Sequence, residues 1–516
     1  MKKLPIGKST LRKIIKNNCL YVDKTPFVKQ LLDDDNGYWF LSRPRRFGKT
    51  LFLDTLRAAF AGEKELFKGL YLENNWNWTK NYPIISIDWG SGSVTSAKEL
   101  RDRFVEILNE HGTNESLTFQ AKTVAGKFRE LITKLYKKYD KSVVVLIDEY
   151  DKPLLDNLTK IKAEEIREEL AGFYSILKSS EKFLKFVFLT GVSKFSKTSI
   201  FSKLNNLTDI SLSKKYADIC GYTQIEFENI FRDYLVDVDL TKVKNWYDGY
   251  NFLGSNVYNP FDILLYLSEK EFKCYWFETG TPTFLLNLIK EQNYYLPKLS
   301  DIKLSQTQLG EFDINHITIE TLLYQTGYLT IKNEFSYGNI IKYELKTPNL
   351  EVQIGLNDYL LRSFFSPGSI LVDQSNLSDS LYFILFENKP EKLKNVFYSF
   401  FAGIPHSWYR KNNISHYEGY YCSVFYTYFN ALGLNVIPED VTNTGNVDFT
   451  VIINNGVFIF EVKMKSNPVN ALDQLKDRKY HEKYSSHKKE IFLIGIEFDE
   501  KSKNISCFEC EKVYTE

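Results

Sequence analysis

The stretch LSRPRRFGKT, residues 41–50, decides how the first part of the chain is read. Its last three residues, Gly48-Lys49-Thr50, match the end of a phosphate-binding loop, G-x-x-x-x-G-K-[ST], but Arg43 stands where the first glycine belongs. Such a loop works because N–H groups at a helix N-terminus face the phosphates, a lysine neutralises their charge, and a hydroxyl reaches Mg²⁺. The setting suits it: the apolar run GYWFL (37–41) leads in, and TLFLDTLRAAF leads out with helical periodicity. Pro44 fixes part of the entry turn, and close backbone approach remains available at Gly48. Read alone, the stretch also fits a basic turn, so a partner motif has to decide.

That partner is VVVLIDEYD (143–151), a strand-like apolar run that ends in Asp148-Glu149. An acidic pair at the carboxyl end of a parallel strand is placed to hold Mg²⁺ through the aspartate while the glutamate polarises an attacking water. The next run, KFVFLTG (185–191), leads to Ser193, where a hydroxyl either senses a γ-phosphate or caps a helix. Arg45 and Arg46 are near enough to the loop to compete for phosphate, and Thr50 is the expected Mg²⁺ hydroxyl. These runs, with PIISID (83–88), alternate with helical stretches such as EEIREELAGFYSILKSS (164–180), which predicts a parallel sheet covered on both faces over residues 1–212.

The length of 516 residues suits about three domains of roughly 150 residues each. A net charge of +1 means that nucleic-acid affinity has to come from local patches rather than the overall field. No apolar run approaches the roughly 18 residues of a membrane span, and the N-terminus is too interrupted for a secretory signal. Six scattered cysteines suit a reducing, cytoplasmic setting, and Cys507 and Cys510, in a strand-like NISCFECEKV, lack the second pair that a zinc site needs.

Residues 213–390 read as a mainly helical middle region: EFENIFRDYL, PFDILLYLSE and TFLLNLIKE (283–291) are helical, GYLTI (327–331) and IIKYEL (340–345) strand-like, and Asp248-Gly249 and Asn259-Pro260 turns. Residues 391–516 are mixed α/β: a helix over 416–433, a hairpin NVDFTVIINN and GVFIFEVKMK, a helix over 468–484 and a strand EIFLIGIEF (490–498). Glu461 and Lys463, two apart on one strand, share a face, and Asp448 lies on the partner strand. Charges inside an apolar hairpin are costly without a metal or partner. Two carboxylates holding a divalent metal and a lysine stabilising a pentavalent phosphate are what phosphodiester hydrolysis needs. Glu418 can add a third metal-binding carboxylate, and Gln474 and Tyr480 can line the same site. His416, His481 and His487 form no metal triad and read as solvated or capping residues.

Taken together, SRPRRFGKTLFLDTL, LIDEYDKPL, WYDGYNF, VYNPFDILLYL, VDFTVII and FEVKMK resemble, in order and over nearly the whole length, the bacterial AAA-ATPase-like proteins with a C-terminal PD-(D/E)XK nuclease domain. R-P-R-R-F-G-K-[ST] is similar to the form that this family itself uses. The resemblance implies a P-loop NTPase domain, a restriction-endonuclease-like C-terminal domain, ATP at Lys49 and Thr50, Mg²⁺ near Asp148 and a hydrolytic role for Glu149. It implies a nuclease core of Asp448, Glu461 and Lys463; the leading expectation there is Mg²⁺, with Mn²⁺ as the alternative metal, and nucleic acid as partner, DNA ahead of RNA. A homo-oligomer is compatible with it. Two rival expectations stand beside an ATP-controlled nuclease: a nucleotide-dependent switch whose inert nuclease fold holds nucleic acid or protein, and an ATPase motor with a C-terminal scaffold.

Overall fold

The computed structural model describes residues 1–34, 36–157, 163–194, 206–279, 285, 288–289, 292, 294–310, 318–338, 340–364, 380–402, 418–453 and 455–513. By contacts the chain forms two compact units, Met1–Phe284 with Lys303–Asn349, and Leu285–Ile302 with Leu350–Glu516. Residues of the expected middle region, 213–390, are therefore divided between the two. Among the described residues no helix is long and apolar enough to cross a membrane.

In the first unit, β1 (Tyr38–Ser42), β2 (Ile84–Asp88), β3 (Val143–Asp148), β4 (Leu184–Gly191) and β5 (Thr208–Asp209) form one parallel sheet in the order β2-β3-β4-β1-β5. The sheet is of the P-loop NTPase type expected from the alternation of apolar runs and helices. β3 is buried along its whole length, which is why VVVLID reads as one continuous apolar run. β4 lies between β1 and β3, so the strand feeding the loop and the strand ending in acids are separated by one strand.

Arg43 is the residue that fixes the loop. Its backbone is not left-handed; its N–H extends the β1–β4 pairing by donating to Gly191 O at 3.2 Å, and the left-handed positions are Arg46 (φ 67°) and Gly48 (φ 91°). No glycine is therefore needed at position 43. Its buried guanidinium donates to Ser42 O (2.9 Å), Ser211 O (2.7 Å), Tyr216 O and Ala217 O (both 3.3 Å), and lies 3.8 Å over the Phe252 ring. Phe47 packs edge-on against Tyr250 and Phe252, and Trp276 Nε1 donates to Arg45 O at 3.1 Å.

The rest of this unit holds two small sheets, β6 (Tyr222–Thr223), β7 (Tyr250–Asn251) and β8 (Asn256–Tyr258), and β9 (Ile302–Ser305), β10 (Thr330–Tyr337) and β11 (Ile340–Lys346), among helices. Two expectations shift here. Gly327–Leu329 is not strand, because Gly327 (φ 95°) ends the Ile319–Thr326 helix. Asn259-Pro260 opens a helix: Asn259 accepts from Phe261 N–H, and Pro260 is the first helical residue. The expected helix 283–291 lies largely outside the described residues.

In the second unit, β12 (Asn435–Thr442), β13 (Gly445–Ile452), β14 (Gly456–Met464), β15 (Glu490–Asp499) and β16 (Asn504–Val513) form a mixed sheet in chain order, with only β14 and β15 parallel. One face carries Phe449 and Phe460 and packs against Phe425 and Phe429 of the Glu418–Ala431 helix. The other carries Val447, Val457, Ile459 and Leu493 and packs against Leu472 and Leu475 of the Ala471–Asp477 helix. That helix is shorter than the expected 468–484: left-handed Lys479 (φ 51°) breaks it, and Tyr480–His487 continues as 3₁₀ turns.

Arg43→Ala should lower the stability of the first unit by about 3 kcal/mol or more, since it strands buried carbonyls. Lysine should not restore it, because a single ammonium cannot span the fork. Denaturant unfolding followed by tryptophan fluorescence reads this directly, because Trp39, Trp76, Trp78, Trp89, Trp246 and Trp276 all lie in that unit.

Candidate functional sites

At the first site, the Lys49–Phe60 helix begins directly after left-handed Gly48, and no side chain caps its N-terminus. A Cβ at Gly48 would meet nothing within 4 Å, so the backbone conformation demands glycine and the space in front of it is open. The Lys49 ammonium is buried and donates to Arg43 O and Pro44 O, both at 2.9 Å. Burial lowers its pKa, against the opposing pull of Asp148. Thr50, Arg45 and Arg46 are exposed, with Arg46 4.9 Å over the Phe261 ring.

Asp148 ends β3, opposite Asp88 of β2, and receives hydrogen bonds from the Thr190 hydroxyl and from Glu149 N–H (3.0 Å). Glu149 is half-buried in a left-handed conformation (φ 50°), and burial, then the charge of Asp148, raises its pKa. Ser193 is fully buried and gives its N–H (2.6 Å) and hydroxyl (2.7 Å) to Asp151, which also accepts from Val192 N–H at 3.0 Å. Asp151 thus ties the end of β4 to the acidic turn, a role that the sequence reading missed. The signal was present as the last residue of LIDEYD, an acid two positions beyond the pair.

The second site lies where β13 and β14 part. Their pairing runs from Ile452 opposite Val457 to Phe449 opposite Phe460 and then stops. Beyond that point β14 donates to side chains: Val462 N–H to Asp448 Oδ2 at 2.6 Å, and Met464 N–H to Glu418 Oε1 at 3.1 Å. Glu461 and Lys463 occupy the face of β14 that carries Val457 and Ile459, as their spacing predicts, and form an ion pair of 3.0 Å. Gln474 Nε2 donates to the same Glu461 Oε1 at 2.5 Å.

Gln474 reaches that far because its helix sits tightly on β15. A Cβ at Gly495, the residue paired with Glu461, would lie 2.5 Å from Leu472 N. Tyr480 donates to Asn446 O at 3.0 Å beside Gly445. Asp440, which the sequence reading passed over, is buried on β12 and takes the Thr450 hydroxyl (2.7 Å), the Lys483 ammonium and the Tyr484 hydroxyl, anchoring the 480–487 turns. His481 and His487 lie on those turns, and His416 is outside the described residues. Cys507 and Cys510 lie on β16, unpaired with each other.

Burial pushes the Asp448 carboxyl up to about 6. Burial and then the charge of Asp448 push Glu461 up to about 7. Burial works against the charge of Lys463, but Glu461 outweighs it and raises the lysine. Glu461 is 2% exposed, and its Oε2 is buried with no hydrogen-bond partner among the described residues. Among the described residues, no group of three or more His, Cys, Asp or Glu is arranged to hold a metal ion.

Residues 5–201 match the family model described as Predicted AAA-ATPase, and residues 416–508 match that of the PD-(D/E)XK nuclease superfamily. The chain is 43% identical over 516 residues, 99% of each chain, to a protein of Azotobacter chroococcum mcd 1 described as an uncharacterized protein in the vnfD 5' region. The chain belongs to the family of AAA-ATPase-like proteins that carry a C-terminal PD-(D/E)XK nuclease superfamily domain.

The two raised carboxyls fix the sign of a pH effect. Between about pH 4 and 7 the folded chain keeps protons that the unfolded chain has already released, so the stability from these groups is greatest below pH 4 and falls as pH rises to 7. Asp448→Asn, whose amide oxygen can still accept from Val462 N–H, should flatten that fall. It should also raise the melting temperature of the metal-free chain at pH 8 by about 4 °C or more, measured by calorimetry.

Proposed function

We propose that this chain is a cytoplasmic ATPase whose C-terminal domain is a divalent-metal-dependent nuclease acting on DNA, with ATP binding or hydrolysis controlling cleavage. The observation that carries the nuclease half is the buried, unpartnered Oε2 of Glu461, held beside Asp448, Lys463 and Gln474 where β13 leaves β14. Two negative groups whose own protonation is favoured by burial are a poor structural element and a good cation site.

The donors at this position are carboxylate oxygens, which suit Mg²⁺ or Mn²⁺. Asp448 and Glu461 would hold the ion, with Glu418 beside them, and the ion would supply Lewis-acid polarisation of a phosphoryl oxygen. The work of the chain itself is distinct. Gln474 orients Glu461, and backbone N–H groups orient Asp448 and Glu418. Lys463 presents a charged ammonium that stabilises negative charge developing on the phosphate.

At the first site, open space at Gly48 and the uncapped helix N-terminus fit a nucleotide phosphate. Lys49 would exchange the loop carbonyls for phosphate, Thr50 and Asp148 would hold Mg²⁺, and the exposed Arg45 and Arg46, the latter leaving the Phe261 ring, would reach the phosphates from the open side of the loop. Glu149 is the group we assign to polarising water, and its raised pKa suits proton transfer. Ser193, bonded to Asp151, would act by shaping the end of β4 near the γ-phosphate. Six free cysteines support the cytoplasmic assignment.

The test uses purified full-length chain with supercoiled and linear DNA, Mg²⁺ or Mn²⁺, and ATP present or absent. Lys463→Ala should reduce cleavage by about 10²-fold or more while leaving ATP turnover intact. Lys49→Ala should abolish ATP binding, and Glu149→Gln should bind ATP without turning it over. Wild-type chain that cuts no nucleic acid under any of these conditions would sink the nuclease reading and leave the nucleotide-dependent binding module and the ATPase motor, which ATP turnover stimulated by DNA would separate.

A further inference from the structure

The peptide bond between Ser193 and Lys194, just past the end of β4, is clamped from two sides. Its carbonyl, Ser193 O, accepts from the Tyr150 hydroxyl at 3.1 Å, and its N–H, on Lys194, donates to Gln325 Oε1 at 3.2 Å. In a trans peptide these two groups point opposite ways, so Tyr150 and Gln325 grip one plane from opposite edges. The first grip belongs to the acidic turn. Tyr150 follows Glu149, its own N–H donates to Thr190 O at 3.0 Å, and its ring lies so close to Gly191 that a Cβ there would sit 2.6 Å from two ring carbons. The second grip comes from outside the parallel sheet. Gln325 is buried on the Ile319–Thr326 helix, and its Nε2 donates at 3.1 Å to Leu309 O of the preceding Gln306–Gly310 helix.

Packing alone does not fix this peptide. A cavity of about 290 Å³ lies beside Lys194, lined among others by Arg43, Pro44, Asp209, Tyr324 and Gln325. A backbone segment next to such a void has no packed atoms on that side, so its place depends on its polar ties. The Lys194 ammonium pairs with Asp209 of β5 at 2.5 Å, and the Lys194 N–H has Gln325. The same helix also reaches the phosphate loop. Gly327, which ends it, lies so near the loop that a Cβ would come within 2.6 Å of Pro44 Cβ, and Pro44 O is one of the two carbonyls that hold Lys49. Residues 325–327 therefore touch both the residue after Ser193 and the loop that carries Lys49. They belong to the element built from β9, these two helices and the β10–β11 hairpin.

We propose that Gln325 is a positioning residue for ATP hydrolysis: it fixes the Ser193–Lys194 peptide, and through it the end of β4 beside the acidic turn, so that the β9–β11 element sets the rate of turnover. This rests on the ATPase reading of the first site. The Ser193 N–H and hydroxyl both end on Asp151, two residues beyond Glu149. A peptide released on its N–H side would shift Ser193 against the group assigned to polarising water. Small displacements of that kind act on the chemical step, whereas ATP affinity is carried by Lys49 and the loop.

The test is steady-state ATP turnover by the full-length chain with Mg²⁺, together with the Kd of a non-hydrolysable ATP analogue. Gln325→Met, which keeps the length of the side chain and removes its acceptor, should lower kcat about 10-fold and leave that Kd within about 2-fold of the wild type. Gln325→Glu, which keeps an oxygen for the Lys194 N–H, should retain turnover within about 3-fold. Tyr150→Phe, which removes the hydroxyl on the other edge of the peptide, should lower kcat about 5-fold, and the Tyr150→Phe, Gln325→Met double variant should lose less than the product of the two. Wild-type kcat in Gln325→Met, an equal loss in Gln325→Glu, a loss of affinity that matches the loss of kcat, or losses that multiply in the double variant would each overturn the proposal and leave the ATPase reading in place. A wild-type chain without ATP turnover would overturn both.

Discussion

Val462 and Met464 donate their backbone N–H groups not to a neighbouring strand but to the carboxylates of Asp448 and Glu418. Both N–H groups lie along the same edge of β14, beyond the last β13–β14 pair, so one run of backbone donors aligns two acids contributed by a strand and a helix. The same strand supplies Glu461 and Lys463 on its face. If β13 continued its ladder past Phe449, those donors would be used in ordinary sheet pairing and the two carboxylates would have no reason to gather. The end of the pairing is thus what assembles the site, and it falls at Phe449 and Phe460, whose rings stack on each other and pack against Phe429.

The arrangement carries an internal conflict. Burial opposes the charge on Asp448 and Glu461, Asp448 adds to the burden on Glu461, and Lys463 relieves only part of it. A fold selected for stability alone would place apolar residues there. The first unit has a related pattern, in which Asp148, Glu149 and Asp151 crowd the end of β3 near a buried Lys49. There the strain is contained by rigid supports: Thr190 and Glu149 N–H on Asp148, Ser193 and Val192 on Asp151, and Arg43 fastened to four carbonyls behind the loop. The two units also share the chain in an unusual order. Leu285–Ile302, part of the second unit, is flanked on both sides in sequence by residues of the first.

How much of this could be read from residues alone follows from the range of the interactions involved. The β1 and β3 runs, the Gly48 turn and the shared face of Glu461 and Lys463 are set by local periodicity, and the sequence shows them. Arg43 looked like a defect in a phosphate loop because its purpose depends on carbonyls of Ser211, Tyr216 and Ala217, far away along the chain. Gln474 was legible only as a candidate, since its contact with Glu461 requires the close helix approach that Gly495 permits. The expected helix over 468–484 failed for a local reason: residue 479 adopts a left-handed conformation that a lysine does not announce.

The most direct test of this account is a crystal structure of the full-length chain with Mn²⁺, with the ion located by its anomalous scattering. The account predicts an anomalous peak between the Asp448 and Glu461 carboxylates, with Oε2 of Glu461 as a direct ligand. A fully occupied Mn²⁺ site elsewhere in the second unit, with Glu461 still bound only to Lys463 and Gln474, would contradict it.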